Sequence, residues 1–199
     1  MSEVDAAVAA LQAGRPIVLP FDTVYGLVAV AEHERNVRTM YTLKGRVPTQ
    51  PSALVAATVE QLLGAVPELR DTDAVRALLP GPFTVILRNP ARRFPWLTGE
   101  SPDTIGVRVP QLPRETSAVV RRAGVVVATS ANEPGGPDPA TLEEVPVRIR
   151  AGAGVAIDGG RVPGTSSTVV DLTADEPKIL REGAVPVSEV LARLAGARG

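Results

Sequence analysis

A chain of 199 residues, 44% of them hydrophobic, can bury one sizeable core, and 21 Lys and Arg against 22 Asp and Glu leave a net charge of -1, so no global field draws it onto nucleic acid or an anionic membrane. Zero cysteines exclude thiol nucleophiles, disulfides and cysteine-bound zinc, and a single histidine leaves no second partner for a histidine-based metal site and little support for a Ser-His-Asp triad. Neither a run of about 18 apolar residues nor a basic-then-apolar leader is present, so the expectation is a cytoplasmic protein with no membrane segment.

In chain order, Ser2 can cap a helix whose Val4, Val8 and Leu11 share one face and which stops at Gly14. Residues 16–20 then read as a buried strand. Helical patterns follow at 33–44 (Val37, Met40, Leu43), 58–64, 71–79, 114–123 and 187–197. Strand patterns fall at 53–57, 83–88, 104–109, 124–128, 154–157, 167–172 and 177–181. This alternation predicts one α/β domain, residues 1–199, built on a partly parallel sheet flanked by helices. Segments 89–103 and 131–140, rich in Pro, Gly and polar residues, read as long functional or mobile loops. His33 reads as a solvated residue at a helix start.

Chemistry must therefore run on Lys, Arg, hydroxyls, carboxylates and a hard metal ion. The stretch Pro20-Phe21-Asp22-Thr23-Val24-Tyr25-Gly26-Leu27 follows the first strand, and ligands of open α/β sheets gather at strand carboxyl ends. Asp22, Thr23 and Tyr25 are thus placed to face a ligand, although an ordinary Asp-Thr turn accounts for the same residues. Lys44 and Lys178 are the only lysines. In Lys44-Gly45-Arg46 the two cations suit phosphate oxygens, Arg46 as a fork and Lys44 as a point charge, and a helix C-terminus favours cations for its own reasons. Pro80-Gly81-Pro82-Phe83-Thr84 is a rigid turn opening a strand. Thr104 and Arg108 lie four apart on an extended segment, hence on one face. Arg108 sits in an otherwise apolar strand, so its charge needs a partner, either a substrate carboxylate or a structural acid.

The apolar run Val125–Ala128 delivers Thr129, Ser130 and Asn132 before Gly135-Gly136, and Gly164-Thr165-Ser166-Ser167-Thr168 repeats that chemistry. Such donors suit an adenine, ribose or phosphate, while turn chemistry is the readier explanation of each cluster taken alone. Arg181 ends a strand before Gly183 and is a second candidate anion contact. A Walker-type loop and a GxGxxG fingerprint are both absent.

Taken in order, PFDTVYGL, KGR, PGPFT, GVRVP, TSAN, STVVD and LREG resemble the YrdC/TsaC family of L-threonylcarbamoyladenylate synthases along nearly the whole chain, in the short single-domain form. The resemblance implies a twisted mixed parallel and antiparallel sheet with a large concave, positively lined cavity for ATP, L-threonine and bicarbonate. It assigns Thr23, Arg108, Ser130 and Ser167 to threonine and bicarbonate, and Lys44, Arg46, Gln50, Thr104, Asn132 and Arg181 to the nucleotide, with Lys44 and Arg46 catalytic. Phe21, Gln50, Val55, Pro134 and Ala140 depart from the family's usual residues, and Gln50 keeps hydrogen bonding without a charge.

The implied reaction forms N-carboxy-threonine, whose carboxylate attacks the α-phosphorus of ATP and expels pyrophosphate. Because that nucleophile is already anionic, positioning and charge neutralisation by Lys44, Arg46, Arg181 and Mg²⁺ suffice. Transient contact with a downstream threonylcarbamoyl transferase is expected. Two other readings stand beside it: a tRNA- or double-stranded-RNA-binding module, and a paralogue that keeps the cavity without turnover.

Overall fold

The computed structural model describes residues 2–69 and 73–197. Helix α1 (Glu3–Gln12) starts as its sequence dictates: Ser2 Oγ accepts from Asp5 N–H at 3.1 Å while Asp5 caps Ser2 N–H in return. Strands β1 (Ile17–Pro20) and β2 (Tyr25–Val30) form a hairpin and lead into helix α2 (Glu34–Lys44). Gly45 ends α2 at φ 72°, a left-handed conformation in which a Cβ would be strained. There follow β3 (Ala53–Val55), α3 (Val59–Ala65), α4 (Asp73–Leu78), β4 (Phe83–Arg88), a 3₁₀ turn at Pro95–Leu97 and β5 (Thr104–Arg108). The chain closes with α5 (Arg114–Ala123), β6 (Val126–Ser130), α6 (Val147–Gly152), β7 (Thr168–Asp171), β8 (Lys178–Arg181) and α7 (Val187–Gly196).

The eight strands make one sheet in the order β1-β2-β6-β3-β5-β4-β7-β8, parallel at β3/β5 and β4/β7 and antiparallel elsewhere. The expected α/β mixed sheet is therefore present. Three elements differ from the sequence reading. Strand β2 was not among the expected strands; all six of its residues are buried, so it lacks the period-two signal of a half-exposed strand. The expected strand at 154–157 is a single bridge from Ala156 to Val18, enough to cover the outer edge of β1. Helix α6 was not foreseen, since only Ile149 of its six residues is buried. The helix expected at 71–79 runs Asp73–Leu78, and residues 71 and 72 of that expectation lie outside the described ones.

The two faces of the sheet are covered unequally. One carries the larger core, where Leu27, Leu54, Phe83, Val85, Val107 and Val170 meet α2, α3, α4, α6 and α7. The other is covered only near its β1 end: Ile17, Leu19, Val28, Val30, Val55 and Val126 pack on Val8 and Leu11 of α1 and on Val119 and Val120 of α5. No helix of the described residues covers this face beyond β3.

Thr168 fixes the far end. Fully buried, its hydroxyl donates to Val185 O at 2.7 Å and accepts from Gly183 N–H and Val185 N–H at 3.0 Å each, tying the turn after β8 to β7. Thr168→Val would strand two buried N–H groups and a carbonyl, so stability is expected to fall by about 2–4 kcal/mol, read as a shift in urea midpoint without a change in slope.

Candidate functional site

The bare part of that second face is a cleft of about 570 Å³. Its floor follows from register. Ala128 pairs with Ala53, Ala53 lies beside Gly106, Gly106 pairs with Ile86, and Ile86 with Asp171. One row of side chains thus crosses five strands, small at one end and carrying a carboxylate at the other. One pleat repeat away along β5 stand Thr104 on one side of this row and Arg108 on the other, so the expected shared face of these two residues is observed. On the Arg108 side, Thr84 pairs with Val169 and Val169 with Arg181.

Seven of the ten residues expected to form a site line this cleft. Arg108 and Thr23 meet at one end, Arg181 and Ser167 beside them, and Arg46, Thr104 and Ser130 at the other. Arg108 Nη2 donates to Asp22 Oδ1 at 3.1 Å and to Thr23 Oγ1 at 3.2 Å, and its guanidinium lies 5.8 Å from the Phe21 ring centre. The structural acid left open by the sequence is therefore Asp22, about 10% exposed in this pair. Burial pushes the Asp22 carboxyl upward from its ordinary value, opposed by the Arg108 charge and by Gln111 N–H, which donates to Asp22 Oδ2 at 3.0 Å. Arg181 holds the Ser167 carbonyl at 2.8 Å, and Ser167 Oγ lies 2.8 Å from Thr84 Oγ1.

Lys44, Gln50 and Asn132 do not line the cleft. Lys44 is buried behind its wall, where its ammonium donates to Ser130 O at 2.7 Å and to Asn132 O and Asn132 Oδ1. Asn132 spends the rest of its amide on Ser130 Oγ and Gly136 O. These two residues form a clamp that holds the end of β6, so in this structure they act on the cleft through Ser130. Gln50 is exposed on the 46–52 segment. Tyr25, expected to face a ligand, is fully buried, and its hydroxyl joins Gly159 N–H and Gly160 O instead. His33 is exposed at the start of α2, as expected.

Thr84, Thr98, Ser101 and Asp171 also line the cleft and were not singled out. Thr84 and Asp171 carried a signal, since each lies two residues along a strand from another cleft-facing position; Thr98 and Ser101 come from an irregular loop whose path no local pattern gives. Buried atoms without a partner concentrate here too: Arg46 Nε, Ser52 Oγ and Arg108 Nε all belong to residues lining the cleft. A second cleft of about 630 Å³, between Glu68 and Pro177, has one guanidinium among its described lining residues, that of Arg88, which is bonded to Thr173 O at 2.6 Å. Among the described residues the first cleft brings together three guanidiniums, those of Arg46, Arg108 and Arg181, with a band of hydroxyls, which suits a phosphate-bearing ligand and a carboxylate together.

Comparison with known proteins agrees with this topology. The sequence model of the Sua5/YciO/YrdC family, described as telomere recombination, matches residues 9–183. A putative threonylcarbamoyl-AMP synthase of Mycobacterium tuberculosis is 30% identical over 187 residues, covering 92% of this chain and 85% of its own. Pyrococcus abyssi Sua5 complexed with L-threonine superposes with a TM-score of 0.85 at 30% identity, covering 98% of this chain and 58% of that one. Escherichia coli YciO superposes at 0.79 with 27% identity, covering 94% and 92%. The chain thus spans less than two thirds of the Pyrococcus protein and nearly all of YciO.

Two substitutions test the geometry. A Cβ on Gly106 would meet Thr84 Cγ2 at 3.6 Å and Ala53 Cα at 3.9 Å, ordinary contacts, so Gly106→Val is expected to fold with stability within about 1 kcal/mol while nucleotide binding by calorimetry falls tenfold or more, because the branched side chain fills the floor. Lys44→Met leaves three buried oxygens without their donor and is expected to cost about 2–4 kcal/mol near pH 7. Burial, and secondarily the Arg46 charge, lower the Lys44 ammonium from 10.5 to about 8. Across that interval the unfolded chain binds the extra proton, so the lysine's contribution to stability rises with pH. The stability gap between wild type and Lys44→Met should therefore widen from neutral to alkaline pH in paired urea titrations.

Proposed function

Because the chain belongs to the Sua5/YciO/YrdC family, we propose that it is a threonylcarbamoyl-AMP synthase, condensing L-threonine, bicarbonate and ATP to threonylcarbamoyl-AMP and pyrophosphate. The observation that carries this reading is the convergence of Arg46, Arg108 and Arg181, from three separate stretches of chain, on one hydroxyl-lined cleft. Threonine's carboxylate is assigned to Arg108 and Thr23, whose orientation Asp22 and Phe21 hold. The triphosphate is assigned to Arg46 and the Ser130 end, with Arg181 and Ser167 closing the other side.

In this scheme the threonine amine forms a C–N bond to the bicarbonate carbon as water leaves, and a carboxylate oxygen of the resulting carbamate attacks the α-phosphorus as the bond to pyrophosphate breaks. The attacking group carries its own charge, so the protein's tasks are to bring two anions together in line and to neutralise the phosphoryl oxygens. Arg46 is the catalytic cation, and Lys44 is a positioning residue acting through Ser130. No group of three metal-ligating side chains gathers among the described residues. Mg²⁺ would arrive with ATP as part of the substrate, since with nucleotides it needs no more than one or two protein carboxylates, and would neutralise phosphate charge.

The product is an activated acyl group, and the proposal extends to its use by a transferase that modifies tRNA adenosine, through transient contact. No helix among the described residues is long and apolar enough to cross a membrane, which suits a cytoplasmic location. An RNA-binding reading has less support: the net charge is -1 and the aromatic content 3%, leaving few stacking platforms.

Purified protein with ATP, Mg²⁺, bicarbonate and threonine is expected to release pyrophosphate only when both threonine and bicarbonate are present, with the acyl-adenylate detected by mass. Release indifferent to threonine would remove the proposal. Arg46→Ala is expected to weaken ATP use tenfold or more while changing the threonine requirement less than about twofold.

A further inference from the structure

Asp171 is the only carboxylate among the described residues that line the cleft. Its place is set by register: it ends the floor row, next to Ile86 on β4 and opposite Lys178 on β8. One oxygen, Oδ1, accepts from Thr173 N–H at 2.8 Å, and the other has no partner among the described residues. Lys178 stands across the ladder without forming an ion pair within 4 Å. A free carboxylate oxygen therefore faces a cleft otherwise furnished with cations and hydroxyls.

Charge and distance decide what it can meet. An ionised carboxylate oxygen only accepts, so it offers the oxygens of a triphosphate no hydrogen bond. Arg108 lies two strands and two residues away and turns its guanidinium toward Asp22 and Thr23, on the side of β5 away from β7, so a small amino acid whose carboxylate it holds lies at that end and not beside Asp171. A divalent ion is disfavoured by the surrounding Lys178, Arg88 and Arg181. What remains is a neutral hydrogen-bond donor on the nucleoside. The floor leading to Asp171, through Ala128, Ala53, Gly106 and Ile86, has the low relief that a planar ring needs, and it runs from the Arg46 end assigned to the phosphates.

We propose that Asp171 is the specificity-determining residue for the nucleobase, accepting a hydrogen bond from the exocyclic amino group of adenine and so selecting adenine over bases that carry a carbonyl there. The inference rests on the synthase reading. A carbonyl oxygen facing Asp171 leaves both groups as acceptors, which costs binding through unmade bonds and repulsion.

The test compares ATP, inosine triphosphate and 2′-deoxy-ATP in threonine-dependent pyrophosphate release, with calorimetric binding of the same nucleotides as an independent reading. Wild type is expected to prefer ATP over inosine triphosphate by roughly 10- to 100-fold in kcat/KM. Asp171→Ala should bring that ratio to within about threefold, chiefly by losing ATP, and Asp171→Asn, whose amide can donate to the inosine carbonyl, should favour inosine triphosphate further. A ratio unchanged in both variants overturns the proposal. So does a loss confined to discrimination against 2′-deoxy-ATP, which would assign Asp171 to the ribose, or a raised Mg²⁺ requirement at constant base preference, which would assign it to the metal. Were wild type to release no pyrophosphate, the synthase reading would fail, and the binding ratios would still decide the role of Asp171.

Discussion

Helices α1 and α5 cover β1, β2 and β6 on one face of the sheet and reach no further than β3, so a sheet that is sealed on its other side is left half bare on this one. That asymmetry is the constraint on which the cleft depends. A bare sheet face made of leucine and valine would be an aggregation surface. Here it is floored with Ala53, Gly106 and Ala128 and rimmed with threonine, serine and arginine, which water or a polar ligand can satisfy. The residues on the same strands that point the other way, Leu54, Val107, Val85 and Val170, supply the core, so stability and ligand binding are divided by the pleat of single strands.

Electrostatics then sort the cations into two kinds. Lys44 is spent: its three donors are matched by three oxygens behind the wall, and its ammonium functions as a structural rivet. Arg108 is half-spent, locked by Asp22 and Thr23 but leaving Nε without a partner. Arg46 also keeps a buried Nε unpaired. Desolvated guanidiniums with unmade bonds lower stability, and two of them stand beside one cleft.

What the sequence made legible was local. The Ser2 cap, the Gly14 stop and the shared face of Thr104 and Arg108 all follow from neighbours within a turn or a pleat, and each is found as expected. What escaped was set by pairing between distant segments. Lys44-Gly45-Arg46 looks like a phosphate motif as a string, yet the left-handed turn at Gly45 separates its two cations, one into the wall and one to the cleft. Asp171 is one polar residue at the end of an apolar run until the register with Ile86 and Gly106 puts it in line with the floor. Tyr25 illustrates the opposite error: it opens β2 on the same face as Leu27 and Ala29, toward the larger core, whereas Thr23 lies in the turn before the strand and reaches the cleft.

A crystal structure with a non-hydrolysable ATP analogue and L-threonine addresses the half-bare face directly. The nucleotide should lie over Ala53, Gly106 and Ala128, with its phosphates within hydrogen-bonding reach of Arg46 and the threonine carboxylate on Arg108. A nucleotide bound instead in the cleft between Glu68 and Pro177, with the floor of the first left clear, would contradict the account.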